Sequence, residues 1–361
     1  MLAKIKENQS IERWKDTPFK NILAINWDSP EKPQALPDLT LALPEKAIHF
    51  FVYNGVANKA WVDHKAIPHW VDVRFEHNML DIRLHKTEGD EALTPIIIHH
   101  HSEANQPLHI ESKLTIRADK GAEASLLFLE TGEGPYLSTP EVFIDISRDA
   151  DIEWVHASLN SDESFAMIDF TSFQDEKSEF HAVSYQSRGK LSRSNLRMDV
   201  RGSHTETNFH GLNLGKEEQH LAYVVDMNHL TPQCESNQQI KNIVKDRAMA
   251  LFDGKIYIYP DSQEINADQM TRSIVLSDGA RVQTNPRLEI YADDVLCTHG
   301  AAIGAIDHDQ MFYMQSRGLS ELEARKLLMR AYAAEVVESI RNDSIRTWLE
   351  AILDEDILTL L

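Results

Sequence analysis

Cys297 and His299 form the pair of residues whose types and spacing best suit metal chemistry. They lie in the run ADDVLCTHGAAIG, and two residues apart on a strand their side chains point to one face. A thiolate beside an imidazole suits zinc or an iron–sulfur species. Two ligands cannot hold a cluster that normally takes four, so a functional site would borrow ligands from a second chain. Spacing alone favours the alternative, a buried cysteine that packs as a small hydrophobic residue beside an ordinary histidine.

The triple histidine His99-His100-His101 is a second candidate for metal binding. On a strand, His99 and His101 would share one face, with His100 on the other. Glu103 is the only nearby carboxylate that could help to complete a site, and a useful metal site needs three or four ligands. The pattern therefore favours a polar strand end near the surface.

Nucleophilic catalysis lacks a complete set of residues. Cys297 could act as a thiol nucleophile, but no oxyanion hole can be identified for it. Asp293 and Asp294 could orient a histidine, although an Asp-Asp pair at a strand corner is more typical of a turn. Cys234 lies in the polar stretch TPQCESNQQ with no histidine within two residues. The sequence names no catalytic set.

Charge and composition exclude several classes of function. The 36 Lys and Arg residues against 57 Asp and Glu give a formal charge of −21, which repels nucleic acids. Neither a GxxxxGK[ST] phosphate loop nor a GxGxxG fingerprint occurs in the 361 residues. No apolar run approaches the roughly 20 residues of a membrane-spanning helix. Two cysteines and a charged opening without a secretory apolar region predict a cytoplasmic protein.

Short strand-like runs dominate the chain from about residue 48, with spacings near ten residues. A sandwich pair, a propeller and a β-helix could each hold so many strands. No blade period of 40 to 50 residues is visible, and tight polar corners such as LSDGA, TNP and YADD favour a parallel β-helix. We divide the chain into an N-terminal segment or cap (1–85), a β-helix core (86–312) and a C-terminal helical segment (313–361).

The C-terminal segment carries two predicted helices. Ser320 and Glu323 form a capping box, and a helix to Ile340 follows. Its apolar stripe comprises Ala324, Leu327, Leu328, Ala331 and Val336. A second helix begins at Asn342 or Asp343, with a stripe of Ile345, Trp348, Leu349, Ile352 and Leu353. Both stripes could pack on each other or on the β core, or one could remain free for a partner protein.

Several runs resemble the SufB/SufD family of iron–sulfur cluster assembly proteins, and within it SufD more than SufB. The combination ADDVxCxHGAxxG followed by FYxxSRG is highly specific, whereas the first 90 residues match loosely. The matching runs are FDGKIYI (252–258), PRLEIYADDVLCTHGAAIG (286–304), MFYMQSRGLSELEARKLLMRAYAAEVVESI (311–340), GKLSRSNLRMDVRG (189–202), FHGLNL (209–214) and HLTPQCESNQQIKNIV (229–244).

The resemblance implies a right-handed parallel β-helix flanked by helical segments. It also implies a non-catalytic scaffold subunit that pairs with a SufB-like homologue through the β-helix ends and docks a SufC-like ATPase on its C-terminal helices. ATP hydrolysis would then belong to the partner. The isolated chain could also form a homodimer.

The resemblance carries expectations for the site as well. The family's Cys-x-His pair corresponds to Cys297 and His299, and His299 is expected to help form a transient iron–sulfur cluster at the interface with the SufB-like subunit. Ala280 stands where SufB carries its assembly cysteine, so this chain is not expected to hold a cluster alone. A reduced flavin is associated with the family's complex, but no residue set here can be assigned to it.

Two alternatives stay open from the residues. A parallel β-helix is also the scaffold of polysaccharide-cleaving enzymes, although this sequence offers no named acid and base for one. A protein-interaction solenoid without a cluster role would bind an ATPase through residues 313–361 and would not depend on Cys297 or His299.

Overall fold

The computed structural model describes residues 2–8, 13–37, 43–44, 46–76 and 78–361. It is mainly β, a parallel β-solenoid of about seven turns with short helical segments at both ends. This confirms the predicted β-helix architecture. Parts of the predicted N-terminal segment, residues 1, 9–12, 38–42, 45 and 77, lie outside the described residues.

Nineteen strands and five helices have the following bounds in the described residues. The strands are β1 Ile48–Tyr53, β2 Val56–Ala57, β3 Val71–Glu76, β4 Met79–Leu84, β5 Ile96–Glu103, β6 Leu108–Ala118, β7 Glu123–Glu133, β8 Tyr136–Ile146, β9 Asp151–Leu159, β10 Phe165–Gln174, β11 Glu179–Gln186, β12 Leu191–Val200, β13 Glu206–Gly215, β14 His220–His229, β15 Glu235–Val244, β16 Met249–Ile258, β17 Ile265–Val275, β18 Arg281–Ile290 and β19 Val295–Gly304. The helices are α1 Leu2–Asn8, α2 Phe19–Leu23, α3 His308–Ser316, α4 Glu321–Val337 and α5 Asp343–Thr359.

Each turn of the solenoid adds one strand to each of two sheets. The ten-stranded sheet runs β19-β17-β15-β13-β11-β9-β7-β5-β1-β2, and the nine-stranded sheet runs β18-β16-β14-β12-β10-β8-β6-β4-β3. Within each sheet, neighbouring strands from β5 and β6 onward pair in parallel. At the N-terminal end of the solenoid, β1–β2 and β3–β4 pair antiparallel. β18 and β19, which are consecutive in the chain, are therefore edge strands at the same end of the solenoid.

The main hydrophobic core lies between the two sheets. Inward-facing aromatic rings fill this core. Phe128 stacks on Trp154 of the next turn, and Trp154 meets Phe170 of the opposite sheet at a tilt of 40°, with ring centroids 5.6 Å apart in both pairs. Because parallel pairing repeats the same register at each turn, equivalent side chains meet directly. Most strands of the ten-stranded sheet are buried on both faces, since helices cover its outer surface.

One corner of the solenoid repeats a left-handed backbone conformation. Asp149, Lys177, His204, Gln233 and Glu264 have φ between 58° and 61°, at spacings of one turn. At Lys177 the N–H donates to the carbonyl oxygen of Ser203 in the next turn, at 2.9 Å. The corner geometry therefore fixes a conformation that non-glycine residues adopt at a cost of about 1–2 kcal/mol each.

Lys177→Val should lower the free energy of unfolding by about 1–2 kcal/mol, since a β-branched side chain fits this conformation poorly. Lys177→Gly should raise it by up to about 1 kcal/mol, because glycine adopts positive φ without steric cost. Urea unfolding measures both. The control is Lys113→Val on strand β6, where an exposed side chain sits on extended backbone. Equal effects of valine at both positions would contradict the corner argument.

The N-terminal segment crosses the outer face of the nine-stranded sheet. Arg13 Nε donates to Asp253 Oδ1 at 2.9 Å, and Arg13 also forms an ion pair with Asp226. The buried guanidinium of Arg193 donates to Thr17 Oγ1 at 2.6 Å and stacks over the Trp14 ring. These contacts tie residues 13–17 to strands β12, β14 and β16.

The expected domain boundaries stay predictions. Strands β1 to β4 lie before residue 85 and already extend both sheets. α3 begins at His308, before residue 313. No helix in the described part of the chain is long and apolar enough to cross a membrane.

The two predicted C-terminal helices are confirmed as α4 and α5. The capping box forms, with Ser320 Oγ accepting from the Glu323 N–H. In the apolar stripe of α5, Ile345, Leu349 and Leu353 are fully buried. Trp348 and Ile352 are partly buried, and the stripe packs in the cluster on the outer face of the ten-stranded sheet. The predicted stripe of α4 is wrong in part: Leu327 is 44% exposed, because the helix turns Met329 and neighbouring alanines toward the sheet instead.

Candidate functional site

Cys297 and His299 both lie on edge strand β19, as their spacing predicts. Cys297 is half-buried and packs against the core between the sheets, whereas His299 is exposed. Burial raises the pKa of the Cys297 thiol, so the thiol resists becoming the thiolate that metals bind. The pair therefore presents one accessible imidazole and one partly shielded thiol at the end of the solenoid.

Strand β17 pairs with β19 and lies directly beside Cys297 and His299. Gln269 lies opposite His299 in the register and is fully buried, and its Nε2 donates to Gln238 Oε1 at 3.0 Å. Next to His299, a Cβ placed on Gly300 would lie 2.7 Å from Cε of Met270. Glycine at 300 thus leaves room for the end of the Met270 side chain beside β19.

The opposite side of β19 has no strand partner among the described residues. The same holds for β18, so both sheets end at this face with unpaired backbone N–H and C=O groups. Four exposed apolar side chains accompany these edges: Leu296 (74% exposed), Tyr291 (57%), Ile303 (52%) and Ile290 (37%). Long edge strands with exposed apolar residues are typical of surfaces that pair with another chain. We call this face the open end.

No group of three His, Cys, Asp or Glu side chains in the described residues is arranged to hold a metal ion. Cys297 and His299 would supply two ligands of a larger set. Because they lie on the open end, further ligands could come from a chain that pairs with β19. Ala280 is buried in a corner cluster with Val244 and Ala248 and offers no ligand atom.

His99 and His100 of the triple histidine are buried and His101 is half-buried, so the expectation of a surface strand end is wrong for the first two. His99 and His100 are at most 1% exposed, and His100 Nε2 bonds Ser112 Oγ at 2.9 Å. The neighbours Ile97 and Leu129 belong to the cluster under the C-terminal helices, which explains why the outer face is covered here. Burial, together with the nearby histidines, lowers the pKa of His99 to about 4.

The remaining sequence candidates have structural roles. Cys234 is buried at a corner, where its Sγ lies 3.4 Å from the carbonyl oxygen of Gly202. The backbone N–H groups of Asp293 and Asp294 both donate to Gln263 Oε1, at 3.2 and 2.8 Å. This agrees with the prediction that the Asp-Asp pair serves a turn.

Further exposed apolar side chains lie on α3 and α4. The sequence patterns predict α4 but not α3. Phe312 (73% exposed), Tyr313 (55%), Leu322 (59%) and Leu327 (44%) form this set, which we call the helical surface. α3 buries no residue, so it has no apolar stripe by which a helix could be predicted. The adjacent Phe312 and Tyr313 are the feature of the sequence that could have indicated an apolar surface here.

A buried lysine fixes the helical surface to the solenoid. The Lys241 side chain, on the outer face of β15, is 1% exposed, and its Nζ donates to the carbonyl oxygen of Tyr332 at 2.8 Å. It also pairs with Glu335 at 2.5 Å. Burial lowers the pKa of Lys241, with Glu335 opposing that shift. One strand, β17, separates this anchor from β19.

Residues 99–332 match the family described as SUF system FeS cluster assembly, SufBD core domain. The chain is 32% identical over 231 residues to an iron–sulfur cluster assembly SufBD family protein of Synechocystis, covering 63% of this chain and 51% of that protein.

Two further relatives show the same extent of similarity. Protein ABCI7, chloroplastic, of Arabidopsis thaliana is 32% identical over 243 residues, which are 65% of this chain and 50% of that protein. The iron–sulfur cluster assembly protein SufD of Escherichia coli is 27% identical over 231 residues, which are 63% and 54%. The chain thus matches about half the length of these curated relatives.

Proposed function

We propose that this chain, which belongs to the SufBD family of the SUF iron–sulfur cluster assembly system, is a SufD-like scaffold subunit. In this role it pairs with a SufB-like homologue, binds a SufC-like ATPase and supports de novo cluster assembly. The observation that carries the proposal is the open end, where two unpaired edge strands present Cys297 and His299 beside exposed apolar side chains.

Pairing at the open end would satisfy the backbone groups of β18 and β19. A homologous solenoid offers edge strands of the same length and spacing, so the two sheets could continue across the interface. Leu296 and Ile303 would then become buried, and each buried side chain of this size contributes about 1.5–3 kcal/mol. A homodimer of the isolated chain would use the same edges.

The nascent cluster is the cargo of this interface. His299 would supply a nitrogen ligand, and Cys297 is a candidate for a sulfur ligand once its proton is lost. The remaining ligands would come from the SufB-like subunit, since Ala280 has none to give. A reduced flavin in the complex stays part of the proposal without an assigned residue in this chain.

The helical surface is the proposed docking site of the ATPase. Phe312 and Tyr313 are exposed on α3, and Leu322 is exposed on α4, the helix that Lys241 ties to the solenoid. A partner bound there would contact an element that is fixed to the β core. ATP hydrolysis would take place in that partner, and this chain is proposed to be non-catalytic and cytoplasmic. We retain the division at residues 85 and 312 as a proposal.

His299→Ala should lower the yield of assembled cluster by at least about tenfold while the complex still forms, because one ligand is lost and no buried contact is removed. The measurement is anaerobic reconstitution of the complex, with iron and sulfide content and the visible absorption of the cluster as readouts. The matched control is His69→Ala, at a histidine 80% exposed in the N-terminal segment. An unchanged cluster yield in the His299 variant would sink the site assignment.

A further inference from the structure

A ladder of apolar side chains follows one corner of the solenoid to the open end. Leu230, Tyr259 and Tyr291 come directly after β14, β16 and β18, and each N–H donates to a carbonyl oxygen of the preceding turn, at 3.0 to 3.1 Å. Their exposed fractions rise in that order, from 36% to 41% to 57%. The most exposed member therefore lies nearest to the unpaired strands.

The two tyrosines are held in place by a third. The ring centroid of Tyr257 lies 4.7 Å from that of Tyr259 and 5.3 Å from that of Tyr291. Rings ordered in this way lose little conformational freedom when a partner covers them. Exposed, pre-ordered tyrosines are typical of the residues that carry most of the binding energy in interfaces.

The position of the ladder indicates what covers it. Tyr291 directly follows edge strand β18, and edge strand β19 begins four residues later at Val295. A chain that adds strands to both edges must pass this corner, so the ladder is continuous with the surface proposed for pairing.

The charges beside the ladder indicate the chemistry of that chain. Asp261, Asp293 and Asp294 are exposed and follow the two tyrosines by two or three residues. Exposed tyrosine rings with carboxylates two or three residues away in the chain suit arginine or lysine, through cation–π contact and ion pairing. A second copy of this chain would bring the same carboxylates to the interface, which disfavours self-pairing.

We propose that Tyr259 and Tyr291 are the aromatic anchor of the open end and receive cationic side chains of the homologous subunit. This inference rests on the proposed function and adds the residues and the chemistry that select the homologue over a second copy of this chain.

The test is the Kd between this chain and its purified cysteine-bearing family homologue, measured by isothermal titration calorimetry. The Tyr259→Ser/Tyr291→Ser variant should bind at least about tenfold more weakly, as expected for an interface anchor. The Tyr259→Phe/Tyr291→Phe variant, which keeps both rings, should stay within about threefold of the unmodified chain. The matched control is Phe143→Ser, at an aromatic residue 40% exposed on the same sheet, and it should change nothing.

Three outcomes would overturn the inference, and they are distinguishable. Serine variants that bind within about twofold of the unmodified chain would remove the anchor while leaving the pairing intact. Self-association as tight as binding of the homologue, measured by sedimentation equilibrium, would make a second copy the occupant. Failure of the unmodified chain to bind the homologue would overturn the proposed function itself and the anchor with it.

Discussion

Leu296→Lys/Ile303→Lys should weaken pairing with the SufB-like homologue by at least about 100-fold, or about 3 kcal/mol. Both side chains are mostly exposed in the single chain, 74% and 52%, so the change does not disturb its core. In the paired state each lysine would place an ammonium group where an apolar contact is expected, at the cost of its hydration. Lysine on an edge strand is also a device by which proteins prevent strand pairing.

Calorimetric titration or sedimentation velocity with the purified homologue measures this effect. Leu93→Lys is the matched control, since Leu93 is 68% exposed near the opposite end of the solenoid. Thermal unfolding of each single chain verifies that the variants are folded. Pairing of the double-lysine variant at the original affinity would contradict the assignment of β19 as a pairing edge.

Acid should destabilise the fold steeply between pH 6.5 and pH 4. Burial lowers the pKa of His99, His210, His220 and His229 to about 4 and that of His181 to about 3, against an ordinary value of 6.5. Between pH 6.5 and pH 4 these histidines are protonated in the unfolded chain but remain neutral in the folded chain. The stabilisation is therefore complete above pH 6.5 and is lost progressively as the pH falls toward 4.

His99 allows one residue to be tested. The pKa of His99 is about 4 in the folded chain and 6.5 in the unfolded chain. Protonation of His99 in the unfolded chain therefore lowers the free energy of unfolding by about 2 kcal/mol at pH 5 and by almost nothing at pH 7.5. Its two ring nitrogens have no hydrogen-bond partner, and its ring lies 5.8 Å from that of Phe51. Phenylalanine should therefore fit this site.

His99→Phe should reduce the stability difference between pH 7.5 and pH 5 by about 2 kcal/mol, because the linked proton disappears. Urea unfolding at both pH values measures it. The control His69→Gln, at a histidine whose side chain is 80% exposed, should leave the difference unchanged. A His99 variant with the pH dependence of the unmodified chain would show that this histidine does not titrate with unfolding.

The fold could be predicted from local sequence patterns because each turn of the solenoid contacts mainly the turns next to it. Each strand is about ten residues long and pairs with the strand one turn away, so spacing and polar corners such as YADD carry the architecture. α3 was missed because it packs no apolar stripe on the core. In α4, Leu327 fits the helical period but is exposed, since periodicity does not show which face meets the sheet.

The site could be predicted only in part. Spacing put Cys297 and His299 on one strand, but that this strand is an edge follows from the register of the whole sheet. The same register joins groups far apart in the chain, as in the buried pair of His156 Nε2 and Glu130 Oε2 at 2.8 Å, 26 residues apart. A local sequence pattern cannot predict such a pair, because its two residues are 26 positions apart. The triple histidine was misplaced because its burial also depends on other strands: the His100 ring lies 5.7 Å from that of Phe128 on β7, and the His99 ring lies 5.8 Å from that of Phe51 on β1.

The most direct test of the scaffold assignment is native mass spectrometry of the tagged chain, purified without oxygen from its own cells. We expect one complex that contains this chain, a family homologue with an assembly cysteine and a P-loop ATPase, each identified by peptide sequencing. The Leu296→Lys/Ile303→Lys chain should lose the homologue from that complex and keep the ATPase. Recovery of the unmodified chain alone, at the mass of a monomer, would contradict the account.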